Sequence, residues 1–120
     1  MVNILVVDDE EDILDMTSFM LDDEGYEVIT TSSGERAIEM VKDNDIDFIL
    51  LDAVMSGMNG LDVCRTLKRN IKTRSIPIII FSALGNGLDM MLENRDKADA
   101  YITKPFTRKV LLDKISELLV

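Results

Sequence analysis

The chain has 120 residues, a length suited to one compact domain, with 47% hydrophobic residues to fill a core and 30% charged residues to solvate its surface. A net charge of −10 and the lack of any histidine disfavour binding to a polyanion such as DNA and exclude both a serine–histidine–aspartate triad and imidazole-liganded zinc, so any metal must be a hard cation on oxygen ligands. No apolar run is long enough to span a bilayer, no secretory signal opens the chain, and the lone Cys64 cannot form an internal disulfide, which together suggest the reducing cytoplasm.

In chain order, Ile4-Leu5-Val6-Val7 is a continuous apolar run ending at Asp8-Asp9, the pattern of a strand buried on both faces. From about Glu11 to Glu24, apolar residues at helical spacing (Ile13, Met16, Phe19, Met20) predict a helix stopped by Gly25. A second strand is expected over Tyr26 to Thr30. A second helix follows from Gly34 to about Lys42, with Ala37, Ile38 and Val41 inward. The third strand, Phe48-Ile49-Leu50-Leu51, ends on Asp52 and leads into a polar loop with Gly57 and Gly60. A third helix is expected from about Leu61 to Arg69, where Cys64 sits among Leu61, Val63 and Leu67 as a packing residue. Pro77 opens a fourth strand over Ile78 to Phe81, ending at Ser82. A loop with Gly85 and Gly87 and a methionine-rich fourth helix near Leu88 to Asn94 come next. Ala100 to Thr103 form a fifth strand ending at Lys104-Pro105. A fifth helix covers about Arg108 to Leu119, with Val110, Leu111, Ile115 and Leu118 on one side.

Strands and helices alternate five times, which calls for a doubly wound α/β fold: a five-stranded parallel sheet between two layers of helices, five in all, in a three-layer sandwich. One domain over residues 1–120 accounts for the whole chain, with no linker or repeat, and no output module is expected after the last helix.

In an open parallel sheet, ligands bind beyond the carboxyl ends of the strands. Asp8 and Asp9, Asp52, Ser82 and Lys104 all fall there. Three converging carboxylates repel: at about 4 Å and an effective dielectric near 20, each pair costs roughly 4 kcal/mol. A small hard cation relieves this, in the manner of Mg²⁺ with a few carboxylates and several waters, and Lys104 adds a positive charge from the other side. Taken singly, each residue has a plainer reading. Acids from Asp9 to Asp12 suit the first turn of a helix, Asp52 can start a loop, Ser82 can bond local backbone, and Lys104 can be a solvated surface lysine. Their common placement on one sheet edge favours a site for a metal and a phosphoryl group.

Over nearly its full length the sequence resembles the receiver domain of two-component response regulators. The matching residues are Val6-Val7-Asp8-Asp9-Glu10, Leu50-Leu51-Asp52 followed by Met55 and Gly60, Ser82-Ala83, and Tyr101-Ile102-Thr103-Lys104-Pro105-Phe106. The resemblance implies a flavodoxin-like sheet of strand order 2-1-3-4-5 and a stand-alone switch rather than an enzyme of turnover. It implies that Asp52 accepts a phosphoryl group from a sensor histidine kinase or phosphotransfer protein. It further implies that Asp8, Asp9, Asp52 and the backbone carbonyl of Val54 hold Mg²⁺, that Lys104 contacts the phosphoryl group, that Ser82 bonds it after transfer, and that Tyr101 moves with Ser82. The Lys104-Pro105 bond is usually cis in similar proteins. An unidentified output protein is expected on the face of the fourth helix, fifth strand and fifth helix, including Met90, Met91 and Tyr101, with neither direct nucleic-acid binding nor membrane insertion. Similar proteins commonly have proline where Ser56 stands, and a small Gly-Ala turn where Asp96-Lys97-Ala98-Asp99 stands. Val54 and Leu84, two past Asp52 and Ser82, are expected to form apolar walls that slow loss of the phosphoryl group.

Two rival chemistries fit the residues less well. A flavin or nucleotide site needs a Gly-, Ser- or Thr-rich phosphate cradle after the first strand, where this chain has Asp8-Asp9-Glu10-Glu11. A phosphatase with an aspartyl nucleophile typically carries a second aspartate two residues on, and Val54 stands there.

Overall fold

The computed structural model describes residues 2–83 and 92–119. Five strands form one parallel sheet, β1 (Asn3–Val7), β2 (Glu27–Thr31), β3 (Phe48–Asp52), β4 (Ile78–Ser82) and β5 (Ala100–Thr103), in the order β2-β1-β3-β4-β5. Among the described residues, four α-helices connect or follow them: α1 (Glu11–Asp23), α2 (Gly34–Asp43), α3 (Gly60–Arg69) and α4 (Arg108–Leu119). The expected fourth helix of five falls largely on residues 84–91, which lie outside the described residues, as do Leu84, Met90 and Met91. Where that stretch re-enters, Asn94–Asp96 form a short 3-10 turn rather than the end of an α-helix.

The apolar runs become strands because both sheet faces are covered. Alternate residues of each central strand feed two cores. Leu5, Val7, Ile49, Leu51, Ile78 and Ile80 pack with Ala37 and Val41 of α2 and with Val63, Cys64 and Leu67 of α3. Ile4, Val6, Phe48, Leu50, Ile79 and Phe81 pack with Leu14 and Leu21 of α1 and with Leu111 and Ile115 of α4. All residues of β3 and β4 are buried, and each fully buried Leu, Ile or Phe contributes about 1.5–3 kcal/mol of transfer free energy.

Two helix faces differ from the sequence expectation. In α1 the buried stripe is Leu14, Thr17 and Leu21, whereas Met16 and Phe19 point to solvent, Phe19 being 70% exposed. A threonine in the stripe hid its phase, and the larger apolar residues lie on the neighbouring face. In α4, Leu111 and Ile115 are buried but Val110 is exposed.

Local signals set the helix ends. Gly25 follows α1 with φ +91°, a conformation that glycine adopts without a Cβ penalty. The Ser33 hydroxyl caps α2 by accepting from the Arg36 N–H at 3.1 Å, and the Asn59 side chain caps α3 by accepting from the Asp62 N–H at 2.9 Å. The stretch 96–99 bonds inward. Asp96 is buried and takes a two-pronged hydrogen bond from Arg69 at 2.9 and 2.8 Å. Asp99 accepts from Lys68 and from the Ile78 N–H at the start of β4, both at 2.8 Å. The Cys64 thiol donates to the Asp96 carbonyl at 3.2 Å, so this cysteine is a packing residue, as expected. No helix among the described residues is long and apolar enough to cross a membrane.

Candidate functional site

Parallel register delivers the polar strand ends to one place. Val7 pairs with Leu51, so the next residues, Asp8 and Asp52, emerge side by side. Asp52 pairs with Phe81 and Ser82 with Thr103, which sets Ser82 and Lys104 one step beyond. The Lys104 N–H donates to the Ser82 carbonyl at 2.9 Å, extending the ladder past the strand.

Asp8 is fully buried and Asp52 is 5% exposed. The Lys104 ammonium bridges them, 3.1 Å from Asp52 Oδ1 and 3.3 Å from Asp8 Oδ2. Asp8 Oδ1 accepts from the Glu10 N–H at 2.9 Å, which ties the carboxylate to the start of α1. Asp9 is exposed, yet one oxygen each of Asp8, Asp9 and Asp52 lie within 4.8 Å of one another. Three carboxylates against one ammonium leave a local charge of −2, and the candidate ligand atoms are carboxylate oxygens. That donor set fits a small hard cation such as Mg²⁺.

Burial pushes the Asp52 carboxyl above its ordinary value, and the charge of Asp8 pushes the same way. Hydrogen bonds and charge from Lys104, with a hydrogen bond from the Val54 backbone, oppose them without prevailing. Burial alone would lower the Lys104 ammonium, but the hydrogen bond and charge of Asp52, with Asp8, outweigh it and raise it. Both directions are consistent, since carboxylates outnumber the Lys104 ammonium among the described residues and burial leaves Asp52 under-compensated.

A pocket of about 580 Å³ opens onto these groups, lined by Glu10, Asp52, Val54, Met55, Ser82 and Lys104 among others. Ser82 is buried within it. Val54 lines this pocket while remaining 77% exposed, and Leu84, the other wall expected from the sequence, lies outside the described residues. Tyr101 is half-buried against the α2–α3 core, and its hydroxyl accepts from the Ala98 N–H at 3.1 Å. The Lys104-Pro105 peptide is cis, as expected. Phe106 then stacks on Phe81 with ring centroids 4.8 Å apart, fixing the segment that carries Lys104. A larger groove of about 840 Å³ lies by residues 42–47 and 70–73, with Asn3 at the start of β1, away from these groups.

The loop from Ala53 to Asn59 is held at both ends. Gly60 lies so close beneath Asp52 that a Cβ there would fall on the Asp52 carbonyl. Asp9 Oδ2 accepts from the Ser56 N–H at 3.0 Å and from its hydroxyl at 3.3 Å. Glu35 Oε1 accepts from the Met58 N–H at 3.2 Å. Ser56 stood out in the sequence only as a departure from the usual proline. Its contact with Asp9 spans 47 positions, and Glu35 carried no signal at all.

A parallel 2-1-3-4-5 sheet with two acids after β1, one at the end of β3, a hydroxyl at the end of β4 and a lysine after β5 defines a receiver. The chain belongs to the response regulator receiver domain family, whose model matches residues 4–116. Among its relatives, the response regulator SaeR of Staphylococcus aureus is 39% identical over 119 residues, covering 99% of this chain and 51% of SaeR, so the chain spans about half of that protein's length. Among solved structures, the chemotaxis protein CheY4 of Vibrio cholerae superposes with a TM-score of 0.90 at 26% identity, over 98% of each chain. The response regulator TrrA of Thermotoga maritima, solved in complex with Mg²⁺ and BeF, gives 0.87 at 33% identity, over 98% of this chain and 99% of that one. This chain is therefore a receiver domain of two-component signalling.

Proposed function

We propose that this receiver is a phosphorylation-controlled switch in which Asp52 accepts a phosphoryl group from the phosphohistidine of a sensor kinase or phosphotransfer protein. The observation that carries the proposal is the placement of the buried Asp52 carboxylate, which opens onto a pocket with a lysine ammonium 3.1 Å away and two further carboxylates beside it. An Asp52 oxygen attacks phosphorus, the P–O bond forms as the P–N bond breaks, and the electron pair stays with the imidazole nitrogen, which then takes a proton. Asp8, Asp9, Asp52 and the Val54 carbonyl would hold Mg²⁺, which when bound supplies positive charge to the phosphoryl oxygens. Lys104 orients the acceptor oxygen and neutralises charge from the opposite side. The Ser82 hydroxyl lines the same pocket and reaches the new dianion after transfer, and Tyr101 repacks with it. This shifts a pre-existing equilibrium at the face of β5 and α4, where an output protein docks.

The reading is of a switch, not an enzyme of turnover, since Val54 offers no acid where an aspartyl phosphatase needs one. A cytoplasmic location follows from a kinase partner and an unpaired buried thiol. Acetyl phosphate with Mg²⁺ should add one phosphoryl group to the intact protein by mass spectrometry, and Asp52→Asn should add none. Equal labelling of the Asn variant would place the acceptor elsewhere.

A further inference from the structure

Asp9 is the exposed member of the carboxylate cluster, and electrostatics alone would drive it outward. Asp8 and Asp52 are buried and fixed, Lys104 bridges those two, and no ion pair to Asp9 exists among the described residues. An unrestrained aspartate in that position swings into water, away from two like charges. The restraint present is Ser56, with two donors on one carboxylate oxygen, the N–H at 3.0 Å and the hydroxyl at 3.3 Å.

Ser56 is itself well braced. The following residue, Gly57, turns with φ +74°, and the Met58 N–H is anchored on Glu35 of α2. Glu35 is fixed in turn by the Ser33 hydroxyl at 3.0 Å. The loop therefore presents the Ser56 donors from a turn pinned on both sides. A carboxylate has two oxygens and about four acceptor positions, so holding Oδ2 leaves Oδ1 available to a ligand.

We propose that Ser56 is a positioning residue for cation capture: its N–H and hydroxyl hold the Asp9 carboxylate turned toward Asp8 and Asp52, so that three oxygen donors are assembled before the cation arrives. The proposal rests on the cation arm of the function proposed above and names a residue that touches neither cation nor phosphoryl group. Hydrogen-bond partners of ligating carboxylates commonly change metal affinity by about 10–100-fold when removed. The lower end applies here because Asp9 is exposed.

The two donors can be removed in steps. Ser56→Ala removes the hydroxyl, Ser56→Pro removes both the hydroxyl and the N–H, and Ser56→Thr keeps both. Mg²⁺ alone, without any phosphodonor, is titrated into each variant and followed by amide chemical shifts of residues 8–10 and 52–58, while urea midpoints report folding. The expected order of affinity is wild type and Thr equal, Ala weaker by severalfold, and Pro weaker by about tenfold, with resonances outside the site unmoved. Ala and Pro variants that bind Mg²⁺ within twofold of wild type, or more tightly, would overturn the proposal. If the Pro variant does not fold, the comparison of Ala with Thr decides it. A wild type that shows no Mg²⁺ response at all refutes the cation site itself, a result distinct from failure of the Ser56 assignment alone.

Discussion

Replacing Asp52 by Asn is expected to stabilise the protein at pH 7 in the presence of a chelator. The Asp8 carboxylate approaches within 4.8 Å, and repulsion at that distance is about 3.5 kcal/mol at an effective dielectric near 20. Asp9 is exposed, and water screens its effect to roughly half of that. Lys104, at 3.1 Å, returns about 5 kcal/mol on the same scale. These terms nearly cancel, so burial decides, and burial is what lifts the Asp52 carboxyl above its ordinary 3.8. A neutral side chain of the same shape escapes that cost, a gain of about 1–2 kcal/mol on the scale at which substitutions register imperfectly compensated buried polar groups. With a urea slope of about 2 kcal/mol per molar, the unfolding midpoint should rise by roughly 0.5–1 M.

The pH dependence has a definite sign. A carboxyl whose folded value is raised carries no penalty below its unfolded value. The penalty develops as pH climbs from 3.8 and is complete above the folded value. The advantage of the Asn variant should therefore be larger at pH 7 than in acid and vanish below pH 3.8. Urea titrations followed by circular dichroism at both pH values test this. A variant that is less stable than wild type at pH 7, or an advantage that persists unchanged in acid, would refute the reasoning.

Three further outcomes follow from packing. Gly60→Ala should destabilise the fold by at least ~3 kcal/mol, because its Cβ would meet the Asp52 and Ala53 backbone, which has no room to give; an unchanged urea midpoint would show that α3 can shift. Leu14→Ala should cost about 2–5 kcal/mol whereas Phe19→Ala should cost under ~1 kcal/mol, and the reverse order in denaturation would restore the Phe19 face to the core. Burial pushes the Cys64 thiol up to about 12, so a thiol reagent should label it only on unfolding, and rapid labelling of native protein by a chromogenic disulfide would contradict the packing of α3.

The strands and the site were legible because parallel strands covered on both faces are continuous apolar runs, and such runs have sharp ends. Val7 to Asp8 and Leu51 to Asp52 are abrupt changes that mark the sheet edge without any knowledge of the helices. The α1 face was less legible. Thr17 is polar in isolation and buried in context, so periodicity favoured Met16 and Phe19. The Ser56–Asp9 contact was invisible for a different reason. It depends on how two loops meet after the sheet has formed, and no local pattern encodes that. The stretch 96–99 carried only a departure from the usual small turn, yet Asp96 is buried against Arg69, and Asp99, though exposed, ties Lys68 to the start of β4.

The register that sets Asp8 beside Asp52 is held by the backbone ladder and selected by the apolar residues that each strand buries on both faces. A slip of one residue would turn every strand side chain to the opposite face, so the placement of the reacting groups tolerates no gradual drift. The loop that carries Val54, Ser56 and Met58 is held differently, by side-chain hydrogen bonds from Ser56 to Asp9 and from Met58 to Glu35. A substitution in that loop changes cation affinity by degrees, whereas one that shifts a strand removes a reacting group from the site altogether.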